Sequence, residues 1–375
     1  MKIKIQKLKF IRNIIIGIVA LLIVAFIINI APGYKRNKFQ NVTNLIIGDE
    51  NVTENLKKPI YKDEEENIYI SKEDIEQFLD KTIYYDEEND TVIATSEVSV
   101  ASMKIGEKII NINGTNKDTL ETIIRVNDTI YIPIKEMKIV YNIETKYLEE
   151  EDIVIIDKLN EGMIKAEAKK EAKIRFRPRA LSKNLGTLQV GETVSAFYTT
   201  SKGWRLIRTE SGIVGYVKAN VLTNEYIIRQ DMKQETQTKK ISINIEDGSK
   251  LDIEGTKVLI KDLLSITEEG ILLKNVKIIN DEEMDIWANL SIENADLSNF
   301  EDRIKMIKNT VSIAMKNNIK GINIIVTNTD KNLERFIIEL APILKEVGIV
   351  INIVDEGNID EETYTDIVNY IITRE

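Results

Sequence analysis

Residues 319–326 read Ile319-Lys320-Gly321-Ile322-Asn323-Ile324-Ile325-Val326; a run from Asn332 to Val347 follows, then Gly348 and Ile349-Val350-Ile351-Asn352-Ile353-Val354. The stretch 321–326 is apolar except for Asn323 and has the length of a buried strand. The run 332–347 reads as a helix, and Gly348 is its stop signal. Residues 349–354 are again a strand. Strand, helix and strand in that order predict parallel neighbours joined by a crossover helix. Working outward, 241–245, 257–264 and 285–290 read as strands, 300–317 as a helix and 361–372 as a closing helix. Residues 240–375 are therefore expected to form an α/β domain.

Upstream of a polar linker at 230–240 the charge changes sign. Residues 162–223 hold 12 Lys/Arg against 4 Asp/Glu, whereas 41–160 hold 27 Asp/Glu against 13 Lys/Arg. Segments of opposite charge mark separate domains with different partners. In 162–224, short strands are punctuated by glycine: Ala172-Lys173-Ile174-Arg175-Phe176-Arg177, Val190-Gly191-Glu192, Gly203-Trp204 and Gly212-Ile213-Val214-Gly215-Tyr216-Val217. That pattern describes a small β-barrel. In 41–158, Ile68-Tyr69-Ile70 precedes Ser71-Lys72-Glu73-Asp74, an N-cap with acids in the first turn. Thr82-Ile83-Tyr84-Tyr85 and Thr91-Val92-Ile93-Ala94-Thr95 flank a polar turn as a hairpin. Further strands are expected in 103–112 and 123–134, with 153–156 closing an α+β stalk.

The N-terminus sets the location. Residues 14–31 contain no charge, and Asn29 is their only polar side chain. About 18 helical residues cover about 27 Å, close to the hydrocarbon thickness of a bilayer. A cleaved signal peptide has a shorter apolar core and a small-residue cleavage site, which Asn29-Ile30-Ala31-Pro32-Gly33 is not. A single-pass transmembrane helix is expected at 13–31. Lys2, Lys4, Lys7, Lys9 and Arg12 favour a cytoplasmic tail at 1–12, with the bulk of the chain extracellular. The 375 residues include no Cys and no His. Thiolate nucleophiles, disulfides, imidazole bases and the commonest metal ligands are thereby excluded. Neither a cofactor nor a metal site is expected, since the acid run 63–66 lacks EF-hand spacing.

Three segments resemble known families. Tyr69-Ile70-Ser71, Tyr84-Tyr85-Asp86, Tyr131-Ile132-Pro133-Ile134 and Val140-Tyr141-Asn142-Ile143 resemble the N-terminal domain of copper amine oxidases, an accessory module that implies neither copper nor oxidase activity. The 162–224 segment looks like a bacterial SH3 (SH3b) domain. Arg177 falls on that family's Arg, Gly191 on its turn Gly, Trp204 on its central Trp and Gly215-Tyr216-Val217 on its Gly-Trp-Val, with Tyr216 in place of Trp. This likeness implies peptidoglycan binding or a purely structural role. Residues 240–375 resemble glycoside hydrolase family 18, in its spore cortex-lytic and chitinase-like branch, through Ile286-Trp287-Ala288-Asn289-Leu290-Ser291, Lys320-Gly321-Ile322-Asn323-Ile324 and Phe336 to Leu344.

The last resemblance carries its own exception. The family's catalytic strand reads Asp-Gly-Ile-Asn-Ile-Asp-Phe-Glu. Here Lys320 stands at the first Asp, Asn323 matches, Ile325 replaces the substrate-orienting Asp and Thr327 replaces the acid Glu. Thr cannot supply the proton that glycoside cleavage needs. A closed (β/α)₈ barrel takes about 250 residues, and 241–375 supply 135. A truncated, open, partial TIM-barrel-like sheet is expected.

The chain thus reads as a multidomain, membrane-anchored envelope protein without catalytic residues. Its basic module would bind peptidoglycan or teichoic acid, with Arg175, Arg177, Arg179, Trp204, Arg205 and Tyr216 as ligand-binding candidates. Nucleic acid carries the same charge as these polymers but is excluded by the anchor. Two alternatives remain. One is a glycan hydrolase using Asp330 or Glu334; the other is a regulator whose open sheet edge docks an envelope protein.

Overall fold

The computed structural model describes residues 39–96, 99–159, 162–228, 237–268, 270–273, 283–328, 330–357 and 359–374, together with 16, 18 and 19. The tail at 1–12 and the anchor at 13–31 lie outside the described residues, apart from Ile16, Ile18 and Val19. Among the described residues no helix is long and apolar enough to cross a membrane. The chain is rich in β-structure, with several sheets and few helices. It divides into two compact units, residues 1–68 with 142–231 and residues 69–141 with 232–375.

In the second unit the strand order is Lys239–Ile243, Tyr370–Arg374, Val350–Asp355, Ile319–Val326, Asp285–Ile292, Thr256–Thr267 and Lys250–Ile253. All neighbours are parallel except the last pair, which forms a hairpin. The order is linear, so the sheet is open. Helices Phe300–Lys316 and Lys331–Glu346 supply the crossovers. The Asn299 side chain accepts from the backbone N–H groups of Glu301 and Asp302, and Asp330 accepts from those of Asn332 and Leu333. Both are N-caps that satisfy otherwise orphaned donors. Gly348, at φ +74°, ends the second helix in the left-handed region that glycine tolerates.

Both sheet faces are buried. One packs Ile322, Ile324, Ile351 and Ile353 against Phe336, Ile337 and Leu340 of the second helix. The other gathers Val258, Ile260, Trp287, Val354 and Ile372 around Ile245 and Ile253. The expected closing helix is corrected: only Glu361–Tyr364 is helical, and Tyr370–Arg374 is a strand beside Val350–Asp355. Its Ile371-Ile372-Thr373 run is β-branched throughout and fits a pleated interior site.

Trp287 packs on Gly321, where an added Cβ would lie 2.6 Å from the indole Cδ1. Gly321→Ala is expected to cost about 1–3 kcal/mol by overpacking, read as a lower urea midpoint with an unchanged slope.

Residues 69–141 belong to this unit. Ser71 caps helix Lys72–Phe78, accepting from the Asp74 N–H. Five short antiparallel strands between Tyr84 and Asp118 form a meander. Ile93 and Val100 of that meander join the hydrophobic core of the C-terminal helices. Helix Ile134–Val140 was not expected; it follows directly on the strand expected at 123–134 and buries Ile134, Met137 and Val140 at helical spacing.

In the first unit, strand Asn44–Ile47 lies parallel to Ile153–Lys158. The seven-stranded antiparallel sheet runs Asn184–Leu188, Ala172–Arg175, Val214–Lys218, Trp204–Thr209, Thr193–Thr199, Met163–Ala168 and Leu222–Ile228. Its core holds Ile174, Val194, Ile207 and Val217. Gly215 sits over Ile174, leaving 2.6 Å to that side chain for a Cβ. The glycine therefore fits the close strand crossing at this point.

Candidate functional site

Strand alternation sorts the basic candidates. Ile174 points into the core, so Lys173 and Arg175 share the opposite face. Arg175 pairs in register with Tyr216. Its Nη1 donates to the Ser182 carbonyl at 2.9 Å, and the Arg177 N–H donates to Ser182 Oγ at 2.8 Å. The Phe176 N–H donates to the Lys183 carbonyl, and the Arg179 N–H to the Arg177 carbonyl at 2.7 Å. Residues 175–183 are therefore a hydrogen-bonded loop organised around the buried Ser182. Among the described residues no carboxylate forms an ion pair with Arg175, Arg177 or Arg179. Leu181, at the end of the loop, is 92 % exposed.

The remaining candidates are spread over both faces. Trp204 is buried and pairs in register with Lys218, whose ammonium lies 4.5 Å from the ring centroid. Arg205, the next residue, points to the other face and reaches Thr199 Oγ1 at 2.9 Å and Glu225 at 3.6 Å. Tyr216 shares its hydroxyl with Tyr198 at 2.7 Å, and the two rings meet edge-on at 6.4 Å. Burial, the Tyr198 hydroxyl and the negative charge of Asp49 all push the Tyr216 phenol upward, so it stays neutral. Arg175 and Tyr216 are thus brought together, whereas Trp204 and Arg205 are directed apart. A cavity of about 230 Å³ beside Val214 is lined by Asp49, Glu50 and Glu54. Anions meet repulsion on that side and attraction on the arginine side.

The hydrolase-like strand has different chemistry. Lys320 is exposed at its start, Thr327 is exposed just past its end and Ile325 is half-buried. Asn323 is fully buried. Its Nδ2 donates to Asn289 Oδ1 at 2.9 Å and its Oδ1 accepts from Asn352 Nδ2 at 2.8 Å. Asn289 Nδ2 donates in turn to Asp262 Oδ1 and the Ile245 carbonyl, each at 2.7 Å. The four residues occupy matching positions on four adjacent strands. They form an amide ladder on the face away from the two long helices. A one-residue slip would leave buried amides unpaired, so the ladder fixes register. Sequence reading singled out Asn323 alone; Asn289 and Asn352 carry the same signal, one amide midway along an apolar strand. Asp330 is committed to its N-cap role. Among the described residues no cluster of Asp and Glu is arranged to hold a metal ion.

Residues 47–156 match the family model of the copper amine oxidase N-terminal domain, as the 41–158 segment was expected to do. The match covers under a third of the chain and takes in residues from both compact units. No curated protein matches. Among solved structures, NlpC1 from Trichomonas vaginalis aligns at 12 % identity over 42 % of this chain and 50 % of that chain. The TM-score of 0.16 is too low to relate the two folds.

Proposed function

We propose that this chain is a membrane-anchored envelope protein that binds anionic wall polymer through residues 162–224, without hydrolysing it. In this reading 13–31 is the anchor, 162–224 is a bacterial SH3 module and 240–375 is a degenerate family 18-like domain. The observation that carries the reading is the hydrogen-bonded loop 175–183, which presents the guanidinium groups of Arg175, Arg177 and Arg179 without carboxylate partners. A folded loop displaying unpaired positive charge, within a segment of net charge +8, concentrates anionic ligands from solution. Ile325 and Thr327, where the resembled family carries acids, support the non-catalytic part, as does the use of Asp330 as a helix cap.

The full-length chain in neutral detergent is expected to co-sediment with peptidoglycan sacculi at low salt and to be released as salt rises. Failure to sediment at low salt would remove wall binding and favour a protein partner at the sheet edge. Release of reducing sugar from the sacculi, abolished by Asp330→Asn, would favour hydrolysis instead.

A further inference from the structure

We infer that the loop 175–183 is a phosphodiester-binding site, and that the polymer it takes is a linear phosphodiester rather than a carboxylate chain. This rests on the wall-binding proposal and narrows it to one ligand chemistry and one set of residues. The loop is built before any ligand arrives: Ser182 takes hydrogen bonds from the Arg175 guanidinium and the Arg177 N–H through two different oxygens. The binding entropy lost to ordering is correspondingly smaller. Arginine, not lysine, occupies 175, 177 and 179, and its planar fork matches phosphate oxygens in pairs. The Arg177 guanidinium rests 5.9 Å from the Phe176 ring centroid, which limits its range of positions. Lys173 and Arg175 share one face of the strand that leads into the loop, a spacing of about 6.6 Å in extended chain. With the arginines of the loop, this places several cations close together, which suits a polymer with a charge on every unit better than isolated stem-peptide carboxylates. The acid-lined cavity beside Val214 repels such a polymer and leaves the arginine loop as its seat.

The test uses the full-length chain in phosphatidylcholine nanodiscs, titrated with inorganic polyphosphate and with poly-L-glutamate of matched charge. Polyphosphate is expected to bind at least about tenfold more tightly. Arg177→Gln/Arg179→Gln should weaken it by about tenfold or more at low salt. The same variant should reduce the slope of log K against log salt by roughly 1.4, the loss of two phosphate contacts. Arg177→Lys/Arg179→Lys should keep the slope and lose affinity, since the charge stays and the fork goes.

Equal binding of the two polyanions, or wild-type binding by the Gln variant, overturns the inference. So does displacement of polyphosphate by the free headgroup glycerophosphoglycerol at equal phosphate concentration, which would assign the loop to lipid headgroups. Sacculi with and without their acid-labile phosphodiester polymer separate this inference from the reading beneath it. Equal binding to both sinks the phosphodiester assignment and leaves wall binding standing; binding to neither sinks both.

Discussion

Glu339→Leu is expected to lower the unfolding free energy of the unit containing the C-terminal sheet by about 3–5 kcal/mol. Arg303 and Glu339 sit on the two long helices, and each side chain is 1 % exposed. They meet as a fork: Nε to Oε2 at 2.9 Å and Nη2 to Oε1 at 3.0 Å. Arg303 Nη1 also donates to the carbonyls of Leu297 and Ser298, at 2.7 and 2.8 Å. The Tyr84 hydroxyl donates to Glu339 Oε1 at 2.9 Å and accepts from Arg303. Burial and the neighbouring carboxylate push the Tyr84 phenol strongly upward, so the hydroxyl keeps its proton. The two buried charges are paired with each other, which is the condition under which buried ions are tolerated, and the Arg335 guanidinium lies 3.9 Å from the Tyr84 ring centroid. With Glu339 gone, a guanidinium that cannot shed its proton is stranded in the core.

Arg303→Leu should cost less, because the partner it strands can neutralise itself. Burial already pushes the Glu339 carboxyl upward against the pull of Arg303. Without Arg303 only the Tyr84 hydroxyl and the more distant Arg335 still oppose burial, so the folded-state pKa lies further above the unfolded one. A raised carboxyl pKa gives a contribution that is intact below the unfolded pKa and lost as pH rises through the folded pKa. The deficit of Arg303→Leu should therefore shrink on acidification from pH 7 towards 4, while that of Glu339→Leu should not. Arg303→Met/Glu339→Leu should recover most of the loss. Trp287 is buried in this unit and Trp204 in the other. Trp204→Phe thus leaves urea unfolding of the second unit with its own fluorescence reporter. A Glu339→Leu midpoint equal to that of the parent would remove the pair from the account of stability.

The sequence made the parallel strands legible because each is a short apolar run bounded by turn residues. The Ser71 cap and the Tyr84 hairpin were legible for the same local reason. Tyr370–Arg374 was misread because a short apolar run has no periodicity to separate strand from helix; only the neighbouring Val350–Asp355 strand decides it. The Arg303–Glu339–Tyr84 cluster joins residues up to 255 positions apart, a distance at which local pattern carries no signal. At the candidate site, residue type and charge pointed to Arg175, Arg177 and Arg179. The bonds through Ser182 that shape their loop depend on how the chain turns, as does the separation of Trp204 from Arg205.

Arg208→Met should destabilise the first unit by about 3 kcal/mol, the lower end of the range for breaking a buried pair. Its guanidinium grips Asp157 with Nη1 to Oδ1 at 2.8 Å and Nη2 to Oδ2 at 2.5 Å. It also donates to the Gly48 carbonyl and to Ser195 Oγ. Asp157 lies on the strand parallel to Asn44–Ile47, so this one side chain ties the four-stranded sheet to the seven-stranded one. The Asp157 side chain keeps 12 % exposure, and that access to water moderates the loss. Arg208→Lys retains the charge but not the fork, and should cost about 1–3 kcal/mol through donors it cannot supply. Although Arg208 contributes to the +8 of residues 162–223, its charge is spent on Asp157 and is not offered to a ligand. Arg208→Met should therefore lower the urea midpoint reported by Trp204 in a Trp287→Phe background, yet leave the salt slope of polyanion binding unchanged. Arg177→Gln/Arg179→Gln should do the reverse, since Arg179 is exposed, Arg177 half-buried, and neither is held by a carboxylate. If both variants changed binding alike, affinity would follow net charge alone and the loop would have no special part in it.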